Sequence, residues 1–297
     1  MAQVPIAEPV VVFRARLKRA CNERLLVLLA LGIEADIVLG VGEFELIVDA
    51  SQAEAALRQI RAYDAENRPP PPPPPPPHHY PYAWAGVAGY VAVLFAVAVA
   101  LSQGWVRLDA FDAGELDSAR VQAGEWWRAL TALTLHRDGP HLAANLLAGV
   151  WFGYLAATQM GVGTAWFLTV AGAGCANLLE GLMAPPGHRS VGASTAVFAC
   201  LGAMSAFSWR ERLGTPQRWA RRWGPLVAGV VLLGWTGAGG ENTDLIAHLG
   251  GFTMGILLGS LAGLPRVRAW LVWLPQWLPG GLALAALGFA WAGALRS

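Results

Sequence analysis

From Tyr82 onward the chain is a succession of apolar stretches separated by shorter polar ones, and this limits the possible folds more than any other feature. The hydrocarbon core of a bilayer is about 30 Å thick and takes about 20 apolar residues to cross as a helix. Seven segments approach that length: Tyr82–Leu101, His141–Met160, Thr164–Ala184, Gly192–Trp209, Pro225–Gly237, Asp244–Leu264 and Trp277–Leu295. A helix satisfies its own backbone polar groups in lipid, whereas an open sheet does not. Residues 82–297 are therefore expected to form an all-α polytopic domain of seven spans, the fifth short and glycine-rich. Composition agrees, with 55% of the 297 residues hydrophobic and 14% charged, where soluble domains carry about 25% charge. A net charge of +1 gives no reason to expect nucleic acid as a partner.

The front of the chain is different. Residues 1–68 alternate short β-branched runs with helical spacing: Val10–Phe13, then Arg14–Leu31, then Ile33–Leu39 and Phe44–Val48 across a turn at Val41-Gly42. Ser51 followed by Glu54 has the spacing of a capping box for a last helix. The expectation is a small βαββα, α+β domain with no catalytic constellation. A linker over 69–81 follows, whose nine consecutive prolines, Pro69–Pro77, set an extended spacer of about 3.1 Å per residue. His78 and His79 in that linker read as solvated. The three cysteines, Cys21, Cys175 and Cys200, lie far apart and read as small core residues. No apolar leader stands before Tyr82, so the first span is expected to be its own insertion signal.

Orientation follows from arginine placement. Arg210, Arg212, Arg218, Arg221 and Arg222 fall between spans four and five, and Arg266 and Arg268 between six and seven. Arginine-rich connections stay in the cytoplasm, which places the N-terminal domain inside and the C-terminus outside, in a bacterial cell membrane. The long connection of residues 102–140 is then external, and its Trp105, Trp126 and Trp127 suit a folded segment lying partly in the outer leaflet.

An ionisable group inside a span is costly and is a functional candidate by default. Three stand out: His141, Glu180 and His248, with Asp244 at an interface. The deduced topology puts Ser194, at the start of span four, and His248, one turn into span six, at similar depth near the outer face. A serine hydroxyl becomes a useful nucleophile when a histidine takes its proton. Gly251 and Gly255 give span six a small-residue face for close packing. His141 and Asn145, four apart, project from one face of span two and could donate to a developing oxyanion with the Ser194 N–H. Other uses of the same residues remain open: a serine bonding its own helix, a glycine stripe that only packs, a capping histidine. A metal site at His136, His141 and His188 ranks last for want of a carboxylate or cysteine at ligand spacing, so no metal and no cofactor is expected.

Taken together, these motifs make the sequence similar to the rhomboid family of intramembrane serine proteases, over residues 82–264. Trp127-Arg128, His141-Leu-Ala-Ala-Asn145, Gly192-Ala-Ser194 and Ala247-His248-Leu-Gly-Gly251 with Gly255 stand in family order. The resemblance implies a six-helix core with a seventh, C-terminal span added. It implies a Ser194–His248 dyad without an acidic third member, an oxyanion site from His141, Asn145 and Ser194, and support from Gly192, Phe198, Gly251, Gly255, Trp127 and Arg128. Substrates would be single-span or multispan membrane proteins, cut near the outer leaflet after lateral access between spans two and five. The alternative is an inactive relative that binds transmembrane helices. Thr195 departs from the pattern where the family has glycine, Phe198 lacks a phenol, and Ala157-Thr158-Gln159-Met160 replaces an acidic–basic pair.

Overall fold

The computed structural model describes residues 9–67, 80–105, 110–213, 219–237 and 244–296. The chain divides into two compact units, residues 1–74 and 75–297.

The first unit runs β1 (Val10–Ala15), α1 (Lys18–Ala30), β2 (Ala35–Leu39), β3 (Phe44–Val48) and α2 (Ala53–Glu66). β3 is the middle strand, antiparallel to both neighbours. Alternate β3 residues, Leu46 and Val48, turn inward as the pleat requires and meet Val12, Leu28, Ala56 and Ile60 in one apolar core. Arg24 of α1 lies over the Phe13 ring at 4.0 Å and reaches Asp64 of α2 at 2.5 Å. The expected capping box is absent. Ser51 gives its hydroxyl to Asp49 at 2.6 Å, and α2 starts after Gln52 with no side-chain cap. The aspartate two residues back competes locally for the same hydroxyl.

The second unit opens with α3 (Ala83–Ser102), followed by the short elements α4 (Ala110–Gly114), β4 (Leu116–Asp117), α5 (Ser118–Gln122) and α6 (Arg128–Thr131) with a 3-10 turn at Ala132–Thr134. Then come α7 (Gly139–Met160), α8 (Val162–Met183), β5 (Arg189–Ser190), α9 (Ser194–Arg212), α10 (Trp219–Gly237), α11 (Leu245–Ala262), α12 (Pro265–Trp273) and α13 (Trp277–Ala294). Among the described residues α3, α8, α11 and α13 are long and apolar enough to cross a membrane. The other three long helices are more polar, α9 ending on Arg210 and Arg212 and α10 beginning with Arg221 and Arg222. Arg218 falls outside the described residues. α10 starts at Trp219 rather than Pro225, because the proline lies inside the helix instead of opening it.

The bundle closes around α9 and α11, which run parallel. Methyl groups added at Gly251, Gly255 and Gly259 would run into the carbonyl oxygens of Thr195, Ala199 and Ala203, so the two backbones touch along three successive turns. At the far end Arg210 Nε donates to Ser260 O (3.3 Å) and Arg268 pairs with Glu211 (3.1 Å), placing the arginines together. α13 lies against α8, where Gln276 Oε1 accepts from the Gly163 and Thr164 N–H groups, each at 3.0 Å, and so satisfies the start of that helix. Cys21 and Cys200 are buried as expected, but Cys175 is exposed on α8.

Candidate active site

The site lies at the end of the bundle opposite the arginines, where the chain passes from β5 into α9. β5 pairs with β4, Leu116 opposite Ser190 and Asp117 opposite Arg189, and this short ladder ties the approach to Ser194 to the outer segment. Arg189 reinforces it, 2.6 Å from Glu115 and 3.4 Å from Asp117. Gly192 follows with φ +136°, a backbone state that side chains disfavour. Its N–H donates to Ala132 O at 3.0 Å.

Gly192 has no side chain for a second reason. A Cβ there would sit 2.8 Å from both Cε1 and Nε2 of His141 and 3.6 Å from Ser194 Oγ. The bare glycine therefore lets the α7 imidazole and the serine hydroxyl share one small space. Ser194 is the first residue of α9, where helix N–H groups lack intrahelical partners. Phe198, one turn on and on the same helix face, is buried and holds the His248 ring at a centroid distance of 4.5 Å with the planes tilted by 39°. The α9–α11 register pairs Thr195 with Gly251, so Ser194 and His248 differ in level by about 3 Å along the parallel axes.

Asn145 is buried one turn along from His141, with one Nδ2–H donated to His141 O at 3.1 Å and its backbone carbonyl accepting the Tyr90 hydroxyl of α3 at 2.8 Å. A primary amide keeps a second N–H. Thr195 is buried, and its methyl lies where a Gly251 side chain would be, 3.1 Å from a Cβ there. The branched residue beside Ser194 thus fills space that the opposing glycine leaves open.

Trp127 and Arg128 act farther away, in the outer segment. The Arg128 side chain is fully enclosed. Its Nε reaches Glu125 at 2.6 Å and its Nη1 donates to the carbonyls of Asp112 (2.6 Å) and Glu115 (2.8 Å), a fork that gathers α4, β4 and α6. Trp127 packs over Gly293 of α13.

Two histidines escaped the sequence reading in their actual roles. His136 stands edge-on to His141 with ring centroids 5.1 Å apart, and its Nε2 accepts the Ala193 N–H at 3.4 Å. Burial, helped by the adjacent His141, pushes the His136 pKa down to about 4, so it is a neutral acceptor at pH 7. His188 lies apart from these two histidines and joins Glu180 and Asp244 instead.

Residues 123–264 match the Rhomboid domain. The putative rhomboid protease YdcA of Bacillus subtilis (strain 168) is 34% identical over 146 residues, covering 48% of this chain and 69% of that protein. The chain belongs to the rhomboid family. Rhomboid protease GluP of the same organism is 31% identical over 158 residues, 52% of this chain and 30% of GluP. RHOMBOID-like protein 1 of Arabidopsis thaliana is 34% identical over 149 residues, 49% of this chain and 37% of the relative. The chain spans well under half the length of these last two. As a rhomboid with several membrane-grade helices, it is an integral membrane protein of a family that includes serine proteases acting within the bilayer.

Proposed function

We propose that this rhomboid is an intramembrane serine endopeptidase that cuts transmembrane segments of other membrane proteins near the outer leaflet. The observation that carries the proposal is the contact of Phe198 with His248, because it brings the imidazole to the helix face that begins with Ser194. Ser194 Oγ attacks the scissile carbonyl carbon while His248 accepts the hydroxyl proton. The negative charge that develops on the carbonyl oxygen is met by the Ser194 N–H, the His141 imidazole and the second Asn145 N–H. His248 then returns its proton to the departing amine, and water, deprotonated by the same ring, releases the acyl fragment. Gly192 supports this arrangement through the space it leaves for His141 and Ser194, and Gly251 and Gly255 through the close approach of α11 to α9.

The substrate helix must unwind locally, since a helical peptide bond has its carbonyl hydrogen-bonded and shielded. α10, the fifth long helix, flanks the way in together with α7. On this reading the protein sits in a bacterial inner membrane with its arginine-rich end and residues 1–68 on the cytoplasmic side and the C-terminus outside; the gathering of arginines at one end supports that orientation. Residues 1–68 serve as a separate domain on the 69–81 spacer.

The test is cleavage of a single-span substrate by purified protein in liposomes. Wild type should cut, whereas Ser194→Ala and His248→Ala, eluting as folded protein, should not. Cleavage by neither wild type nor variants would favour a relative that binds helices without cutting them.

A further inference from the structure

Glu180, His188 and Asp244 are far apart in the chain yet converge, each offering a ligand atom, with these atoms all within 4.8 Å of one another. They come from three pieces of the fold: the last turn of α8, the segment that leads through β5 to Ser194, and the residue capping α11. His188 Nε2 lies 2.8 Å from Glu180 Oε1 and 3.5 Å from Asp244 Oδ2. The Glu180 side chain is only 4% exposed, and its second oxygen, Oε2, is buried with no hydrogen-bond partner. A buried carboxylate oxygen facing another carboxylate is costly unless a shared proton or a cation lies between them. The neighbouring cation, Arg189, is spent on Glu115 and Asp117. The lone imidazole is shared by both acids.

We propose that Glu180, His188 and Asp244 form a site for a divalent transition-metal cation of the Zn2+ class, which fastens α8, the strand entering Ser194 and the start of α11 together. One imidazole nitrogen and two carboxylates form a borderline N/O donor set with the charge of −2 that a divalent ion neutralises. Metal–ligand bonds of about 2.0–2.2 Å put tetrahedral ligand atoms about 3.4 Å apart, close to the separations seen here. Asp244 is already oriented for the role, because its other oxygen, Oδ1, accepts the Ala247 N–H at 3.0 Å. His188 and Asp244 side chains are 27% and 23% exposed, which leaves an approach from the aqueous side and room for water as a fourth ligand. The sequence offered no such site, because it showed no carboxylate at ligand spacing to His188. Both acids arrive through tertiary packing.

The site does not depend on Ser194 chemistry, so metal uptake tests it directly. The full-length protein in detergent, stripped with chelator, is dialysed against buffered Zn2+ and the bound metal is counted. His78→Ala, His79→Ala and Cys175→Ser form the background, since these residues could also take zinc. Uptake of one ion with a higher thermal midpoint is expected, and Glu180→Gln and His188→Gln should each weaken binding at least tenfold and abolish the midpoint shift. Should Glu180→Gln fail to fold, His188→Gln, at a partly exposed position, decides alone. No uptake, or uptake and midpoint shift unchanged in the variants, would overturn the proposal.

Discussion

The Phe198 ring packs on the imidazole of His248 at 4.5 Å, centroid to centroid, one helical turn beyond Ser194. Phe198 thus fixes where the only histidine on α11 can stand relative to the start of α9. Truncating it removes both the contact and a buried ring. Phe198→Ala should destabilise the protein by on the order of 3 kcal/mol, and cleavage should fall more than in Phe198→Tyr, which keeps the stack. Thermal midpoints in detergent and initial cleavage rates for the two variants check this.

The parallel contact of α9 and α11 has no slack. A methyl at Gly255 would meet the Ala199 carbonyl, which is backbone and cannot rotate away. Gly255→Ala should therefore push the helices apart at a cost of about 1–3 kcal/mol and reduce activity. Gly288→Ala on α13, where nothing lies within 4 Å of the added carbon, is the control and should leave the midpoint unchanged.

Much of this arrangement was legible in the chain. The seven apolar segments mark helices because burial in lipid forces hydrogen bonds to be satisfied locally. Arginine placement and span counting together put Ser194 and His248 at similar depth. What sequence could not reveal depends on contacts between distant segments. The β4–β5 ladder joins two residues from each strand, too short to leave a periodic signal. The resemblance marks Arg128 as a supporting residue, but what it supports shows only when its guanidinium is seen enclosed among the Asp112 and Glu115 carbonyls. Ser51 shows the limit of local rules, for its spacing to Glu54 predicted a cap and Asp49 took the hydroxyl.

Arg128 leads to a third prediction. With its fork holding Glu125 and two backbone carbonyls, Arg128→Lys keeps the charge but not the planar donors. The loss should be about 3 kcal/mol, nearer that of Arg128→Ala than of wild type. Limited proteolysis should then show earlier cutting within residues 110–134.

Acid should also loosen the outer segment. The folded-state pKa of His136 is lowered to about 4, below the 6.5 of an unperturbed histidine. Between those values the unfolded chain binds a proton that the folded one does not, so stability falls as pH drops from 6.5 to 4. The loss should be on the order of 1–3 kcal/mol, and His136→Gln should flatten that part of the midpoint-versus-pH curve.

The most direct measurement is labelling of the purified protein with a fluorophosphonate probe, with the modified residue located by mass spectrometry. Wild type should carry the label on Ser194, and His248→Ala, still folded, should lose it. Absence of labelling at Ser194 in wild type, or undiminished labelling in His248→Ala, would contradict the assignment of these two residues as nucleophile and base.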